Sequence, residues 1–284
     1  MKTIKYLFAI TILFTSFVSC SSDDSDDLKE ENPVEGLNLV ETIETDHHDI
    51  ELYSANKSFM IGYNDISIRI KDQATNTYIS NAEISWTPVM HMTSMMHSCP
   101  TSEVSLTENT TVSNGFIVFQ MPGNDTEYWN LKLNYSIDDE SFEASKNIEV
   151  IADEDDMRSV SSFMGSDNSR YVLAMVTPVN PEVKVNDFTA VLYKMEDMMT
   201  FSVVEDFTVT VDPRMPGMGN HSSPNNEDLT YNAASNMYDG KLSLTMTGYW
   251  KMNLKLLNED GDVLKGEDVT EENIESSLYF DFEF

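Results

Sequence analysis

Seven short segments constrain this chain more than any other feature: FMIGYNDISIRI, GFIVFQM, YWNLKLNY, FTAVLY, FTVTV, GKLSLTM and YWKMNLKL. In each, apolar and polar residues alternate, with β-branched and aromatic side chains over-represented. That is the signature of half-buried β-strands. No long segment keeps a helical period. Short strands at this spacing, broken by clusters of Asn, Asp, Gly and Pro, predict an all-β protein built as β-sandwiches.

The pattern is written twice. Pro88 pairs with Pro213, Met90 with Met215, and His97-Ser98-Cys99-Pro100 with His221-Ser222-Ser223-Pro224. Gly115 pairs with Gly240, Met121 with Met246, Tyr128-Trp129 with Tyr249-Trp250, and Asn64-Asp65 with Asn186-Asp187. The offsets run only from 121 (250 minus 129) to 125 (213 minus 88), as small loop insertions would produce. The polar, acidic run from Ala152 to Ser169 marks the boundary. A solenoid needs three or more stacked units, so two copies predict tandem modules.

The N-terminus predicts where the chain resides. MKTIKYLFAITILFTSFVSC has a basic start (Lys2, Lys5), an apolar run, then small residues before Cys20. This is a secretory signal, too short to span a membrane stably. Its ending, Phe17-Val18-Ser19-Cys20, resembles the lipobox of bacterial lipoproteins, which implies that Cys20 is lipidated and begins the mature chain. SSDDSDDLKEENP, from Ser21 to Pro33, is too charged to pack and reads as a solvated tether. It also resembles the acidic surface-export signal of some Gram-negative lipoproteins. The expected organisation is a signal peptide over 1–19, lipidated Cys and acidic tether over 20–35, and a β-sandwich repeat over 36–152. A linker over 153–169 and a second repeat over 170–284 follow. Lipid-anchored residence in the cell envelope, at the outer membrane and with surface exposure open, is the expected location.

The formal net charge is -32, and loss of Lys2 and Lys5 with the signal makes it -34. Such a charge opposes binding to nucleic acid and to anionic lipid headgroups, leaving the lipid anchor as the membrane contact. The carboxylates do not follow an EF-hand spacing, and Asn258-Glu259-Asp260-Gly261-Asp262 reads as a hairpin turn. Cys99 is the one cysteine besides Cys20, so no internal disulfide supports the exported domains.

Against this acidic background, TPVMHMTSMMHSCP (Thr87 to Pro100) gathers Met90, Met92, Met95, Met96, His91 and His97 within eight residues. Copper(I) favours thioethers and accepts imidazole, and an exported protein with few thiols would build its site from Met and His. Residues two apart on an extended backbone face one way, which groups Met90 with Met92 and Met95 with His97 and turns His91 away. In the second copy, Met215-Pro216-Gly217-Met218 reads as a type II turn that brings two thioethers together, with His221 just beyond. Plainer roles fit other residues. Met121 and Met246 read as core fillers, Trp129 and Trp250 as inter-sheet packing, and His47-His48 as a solvated pair. Pro88, Pro213, Gly115 and Gly240 need only turn geometry. Cys99 has Ser223 in its place in the second copy, so no shared mechanism requires it.

DPRMPGMGNHSSP followed by YDGKLSLTMTGYWKMNLKL resembles the YtkA-like/FixH-like family of exported β-sandwich domains. The shared pattern is Met-Pro-x-Met, a His soon after, then a Gly-starting strand ending in Met-x-Gly-x-Trp. It runs from Met215 through Trp250, and the first copy departs from it with VMHMTSMMHS and four extra residues before Trp129. The resemblance implies copper handling or assembly of respiratory oxidases, with a protein partner in delivery.

Enzyme readings lack support: there is no HExxH, no Gly-x-Ser-x-Gly and no phosphate-cradling glycine loop. The expectation is a non-enzymatic lipoprotein with two tandem Ig-like β-sandwich domains. It would bind copper for sequestration or delivery through Met90, Met92, Met95 and His97 and through Met215, Met218 and His221. The alternative is a surface module that binds protein or glycan, with its methionines structural.

Overall fold

The computed structural model describes residues 32–153 and 155–284. The expected signal peptide and the lipidated Cys20 lie outside the described residues, as does most of the tether.

The alternating segments all become strands. In the first repeat these are β1 (Asn38–Glu44), β2 (His48–Ser54), β3 (Phe59–Met60), β4 (Gly62–Asp72), β5 (Thr77–Tyr78) and β6 (Glu83–His91). β7 (Met96–His97), β8 (Ser105–Leu106), β9 (Ser113–Phe119), β10 (Tyr128–Ile137), β11 (Glu140–Ile148) and β12 (Val150–Ile151) complete it. The second repeat starts with β13 (Val160–Met164), β14 (Arg170–Thr177), β15 (Val185–Met195), β16 (Phe201–Val203), β17 (Thr208–Met215) and β18 (His221–Ser222). It ends with β19 (Glu227–Asn232), β20 (Met237–Ser243), β21 (Tyr249–Leu257), β22 (Val263–Lys265) and β23 (Leu278–Glu283). Among the described residues the one helical element is a 3₁₀ turn, Pro216–Met218, and none is long and apolar enough to cross a membrane.

The first repeat layers a sheet of order β1-β2-β4-β9-β8 on one of order β11-β10-β6-β7. The second repeats both orders as β13-β14-β15-β20-β19 and β23-β21-β17-β18. There, β19 also pairs with β17, so the two layers join into one continuous sheet. The protein is all-β, two sandwiches in tandem.

Each sandwich has its own core. Trp129 with Ile66, Ile117 and Leu131 anchors one, and Trp250 with Phe188, Tyr238 and Leu254 the other. Both indoles are fully buried. Each satisfies its N–H the same way: Trp129 Nε1 donates to Met121 O and Trp250 Nε1 to Met246 O, both at 2.9 Å. A buried indole needs such an acceptor, and a methionine in the loop just past the preceding strand supplies it.

Four paired residues are not turn residues, contrary to expectation. Pro88 and Pro213 lie buried within β6 and β17, at a stretch of each strand whose outer edge has only the two-residue strands β7 and β18 beside it. An edge is where a residue without an N–H is tolerated. Gly115 and Gly240 lie inside β9 and β20 because their neighbours leave no room for a side chain. A Cβ on Gly115 would stand 2.7 Å from the Trp86 ring, and one on Gly240 would stand 2.6 Å from Glu227 O.

The expected linker is also partly structured, since Val160–Met164 forms β13 and pairs with β14. Nor are all strands half-buried. The outer faces of β4 and β9 meet those of β14 and β15 in a third apolar cluster. In it, Val118 and the partly buried Tyr63 and Phe116 pack on Val172, Ala174, Val191 and Tyr193. Residues alternate accordingly: Ile117 and Phe119 point into their own sandwich, Val118 into the other repeat. Residues Pro33–Phe284 therefore form one compact unit.

Candidate metal-binding cleft

The structure separates the candidate residues into buried and accessible. Met90 continues the inward row of β6 after Trp86 and Pro88 and is 0 % exposed in the core. Met215 occupies the matching place at the end of β17, 5 % exposed. Neither reaches a surface from which it could meet an ion, so both act as packing. The pairing around them is the same in each repeat: Met90 is opposite His97 and Met215 opposite His221.

Beyond that register the repeats part company. Met215 to Met218 does not form a type II turn. Pro216 starts a 3₁₀ turn, and the left-handed positions fall later, at Gly219 (φ 65°) and Asn220 (φ 60°). Proline suits the first position of such a turn, and glycine supplies the left-handed residue that ends it. Met218 is left 59 % exposed, and His221 is exposed as well.

In the first repeat the equivalent loop is buttressed. Met92 N–H donates to Met95 O at 2.9 Å, closing a turn after β6. Ser98 then fixes the strand that follows: its Oγ donates to Pro88 O at 2.7 Å, and its N–H donates to Met198 O of the second repeat at 2.8 Å. His97 Nδ1 lies 2.7 Å from Ser98 O. A carbonyl oxygen only accepts, so Nδ1 carries the proton and, in the neutral ring, Nε2 holds the lone pair. The ring also stands edge-on to Trp129, centroids 5.6 Å apart and planes at 87°. An imidazole whose second nitrogen is oriented by a backbone carbonyl is the usual arrangement of a histidine metal ligand.

Met92, Met95 and His97 line a cleft of ≈ 860 Å³. Met121 and Gln120, just past β9, line it too. Gln120 Nε2 donates to Ser162 Oγ at 3.1 Å, while its Oε1 is buried with no hydrogen-bond partner. The opposite wall belongs to the second repeat and carries Met164, Met195 and Met198. Arg170, Lys194, Glu196 and Asp197 lie there as well, so cations and carboxylates offset one another in the lining. Asp197 caps its own turn by accepting from Met199 N (2.7 Å) and Thr200 N (2.9 Å). The bond from Met199 holds its carboxyl below the usual carboxylate range.

The remaining candidates lie elsewhere. His91 points away from Met90 and stacks on Tyr128, centroids 4.9 Å apart. Cys99 is buried away from the cleft lining, and that burial pushes its thiol pKa well up. His48 is not solvated: it starts β2, is buried, and its Nδ1 lies 3.0 Å from Tyr135 Oη. Among the described residues, no three His, Cys, Asp or Glu side chains converge to hold a metal. Methionines are the donors that gather.

The sequence reading passed over Met164, Met195 and Met198, which have no methionine counterparts in the first repeat. Their signal was present in KMEDMM (Lys194 to Met199), a second methionine-rich loop in polar surroundings.

No family model matches the chain. No curated protein matches it either. A solved structure of FdeC, a broadly conserved Escherichia coli adhesin, is similar over 79% of this chain and 64% of the adhesin chain. The identity is 14% and the TM-score 0.26, a likeness that carries no statement about function.

Proposed function

We propose that the chain is an exported, lipid-anchored protein that binds a soft metal ion, copper(I), for sequestration or delivery, through Met92, Met95 and His97. The observation that carries this reading is the His97 imidazole. Ser98 O orients it, its Nε2 makes no hydrogen bond among the described residues, and the Met92 and Met95 thioethers line the same cleft. Soft donors with one imidazole suit copper(I), whereas calcium and magnesium require oxygen cages. Met218 and His221 offer an exposed, unbuttressed pair, and Met90 and Met215 serve the cores.

Competition against a copper(I) chelator tests the reading. Replacing His97 by Ala is expected to lower affinity about tenfold or more at pH 7.5. Acid should weaken wild type without abolishing binding, because protonated imidazole cannot coordinate while thioethers do not titrate. Arg170, Lys194, Glu196 and Asp197 are the charged groups sharing the cleft. Met90→Ala should instead cost about 2–5 kcal/mol of stability and leave affinity unchanged. A wild-type chain that withdraws no copper(I) from the chelator would leave the surface-module alternative standing.

A further inference from the structure

We infer that the metal site is composite, built from both repeats, so that the intact chain holds one copper(I) ion and not one per repeat. The inference rests on the copper reading and says where the ion's remaining ligands come from. Two thioethers and an imidazole come from the first repeat: Met92, Met95 and His97. The facing wall offers Met164, Met195 and Met198.

Three observations carry it. First, the cleft gathers six of the chain's 18 methionines, namely Met92, Met95, Met121, Met164, Met195 and Met198. Exposed surfaces do not ordinarily collect methionine, yet Met95, Met164 and Met198 are each at least 40% exposed. Second, the walls are registered at the site itself. Ser98, whose carbonyl orients His97, donates its own N–H to Met198 O, so the imidazole and the Met195–Met198 loop are linked through one residue. Third, the equivalent loop of the second repeat lacks these features. His221 has the same strand register as His97, but it is exposed, and no hydrogen bond fixes its ring among the described residues.

The first repeat's loop meets the second repeat, whereas the second repeat's own loop is exposed at Met218 and His221. The cleft is wider than an ion needs, so the thioethers must close in. Methionine, with three rotatable bonds and a polarizable sulfur, is suited to that movement. Because Arg170 and Lys194 offset Glu196 and Asp197, the lining does not draw hard divalent cations by charge, and selectivity falls to the sulfurs.

Copper(I) titrated into the intact chain, with chelator competition and X-ray absorption of the complex, tests this. One ion per chain in a sulfur-rich shell is expected. The triple change Met164→Leu, Met195→Leu, Met198→Leu should lower affinity about tenfold or more, with no shift of the thermal midpoint. Met218→Leu with His221→Ala should leave affinity and stoichiometry alone. Wild-type affinity in the triple variant would overturn the composite site while leaving the first-repeat site intact. Two ions per chain, one of them lost with His221, would overturn it as well. No copper(I) binding by wild type would overturn this inference and the proposed function together.

Discussion

Met90 and Met95 are five residues apart in one loop-and-strand segment, yet one is 0 % and the other 49 % exposed. Met90 occupies an inward position of β6, where strand parity buries it, whereas Met95 lies in the turn beyond the strand. Composition alone cannot separate such residues. The same parity decides His48, whose side chain is buried beside Tyr135 and Phe142, with ring centroids 5.7 and 5.0 Å away. Burial lowers its pKa, outweighing the Asp72 and Glu140 carboxylates that raise it, while His47 lowers it further. The folded state therefore holds His48 neutral where the unfolded chain already takes up a proton, near the ordinary imidazole value of about 6.5. Its contribution to stability is complete above that pH and is lost as pH falls through the folded value. Denaturant midpoints of wild type and His48→Asn, which keeps a partner for Tyr135 Oη without titrating, should converge between about pH 7.5 and 5.5. A stability gap independent of pH would mean that His48 does not contribute through its proton.

At the scale of the element, the alternating segments located the strands, and the doubled residue pairs revealed two copies of one sandwich. The periodicity reading failed where tertiary contact changed what a strand must bury. GFIVF in β9 and FTAVLY in β15 are nearly continuous apolar runs, the composition of strands covered on both faces. Taken as half-buried, they hid the contact between repeats, and with it the cleft at its edge. The buried His48 carried no such signal. The paired glycines were visible, but their reason was not, because close approach between strands leaves no mark in local sequence. Gly240→Ala would press a methyl against the backbone of Glu227 and Asp228, which cannot rotate aside. It should destabilise the second repeat by about 1–3 kcal/mol or more. A Cβ on Gly217, in the 3₁₀ turn, would meet nothing within 4 Å. There, alanine should be neutral or stabilise by about 0.4–1 kcal/mol. Thermal melts of the two variants separate close packing from turn geometry, and similar midpoints would reject the packing account.

At the scale of the whole molecule, the contact between repeats decides whether the chain behaves as two proteins or one. Each sandwich has a complete core, which favours independent melting. Against this, Val118, Val172, Ala174, Val191 and Tyr193 are buried in one cluster that spans both repeats, and an interface of that apolar character couples what it joins. Val118 belongs to neither sandwich core, so changing it tests the coupling alone. Val118→Asp places an unpaired carboxylate where no polar partner awaits it, a change that costs several kcal/mol unless the surfaces part and let water in. Separation is the cheaper response, since both cores survive it. Calorimetry should then show the wild type melting in one transition and Val118→Asp in two. Copper(I) affinity should fall in the same variant, because the two walls of the cleft would no longer be held together. A single transition of unchanged cooperativity in Val118→Asp would show that the repeats are not coupled through this face. Two transitions with copper(I) affinity intact would place the whole metal site in the first repeat.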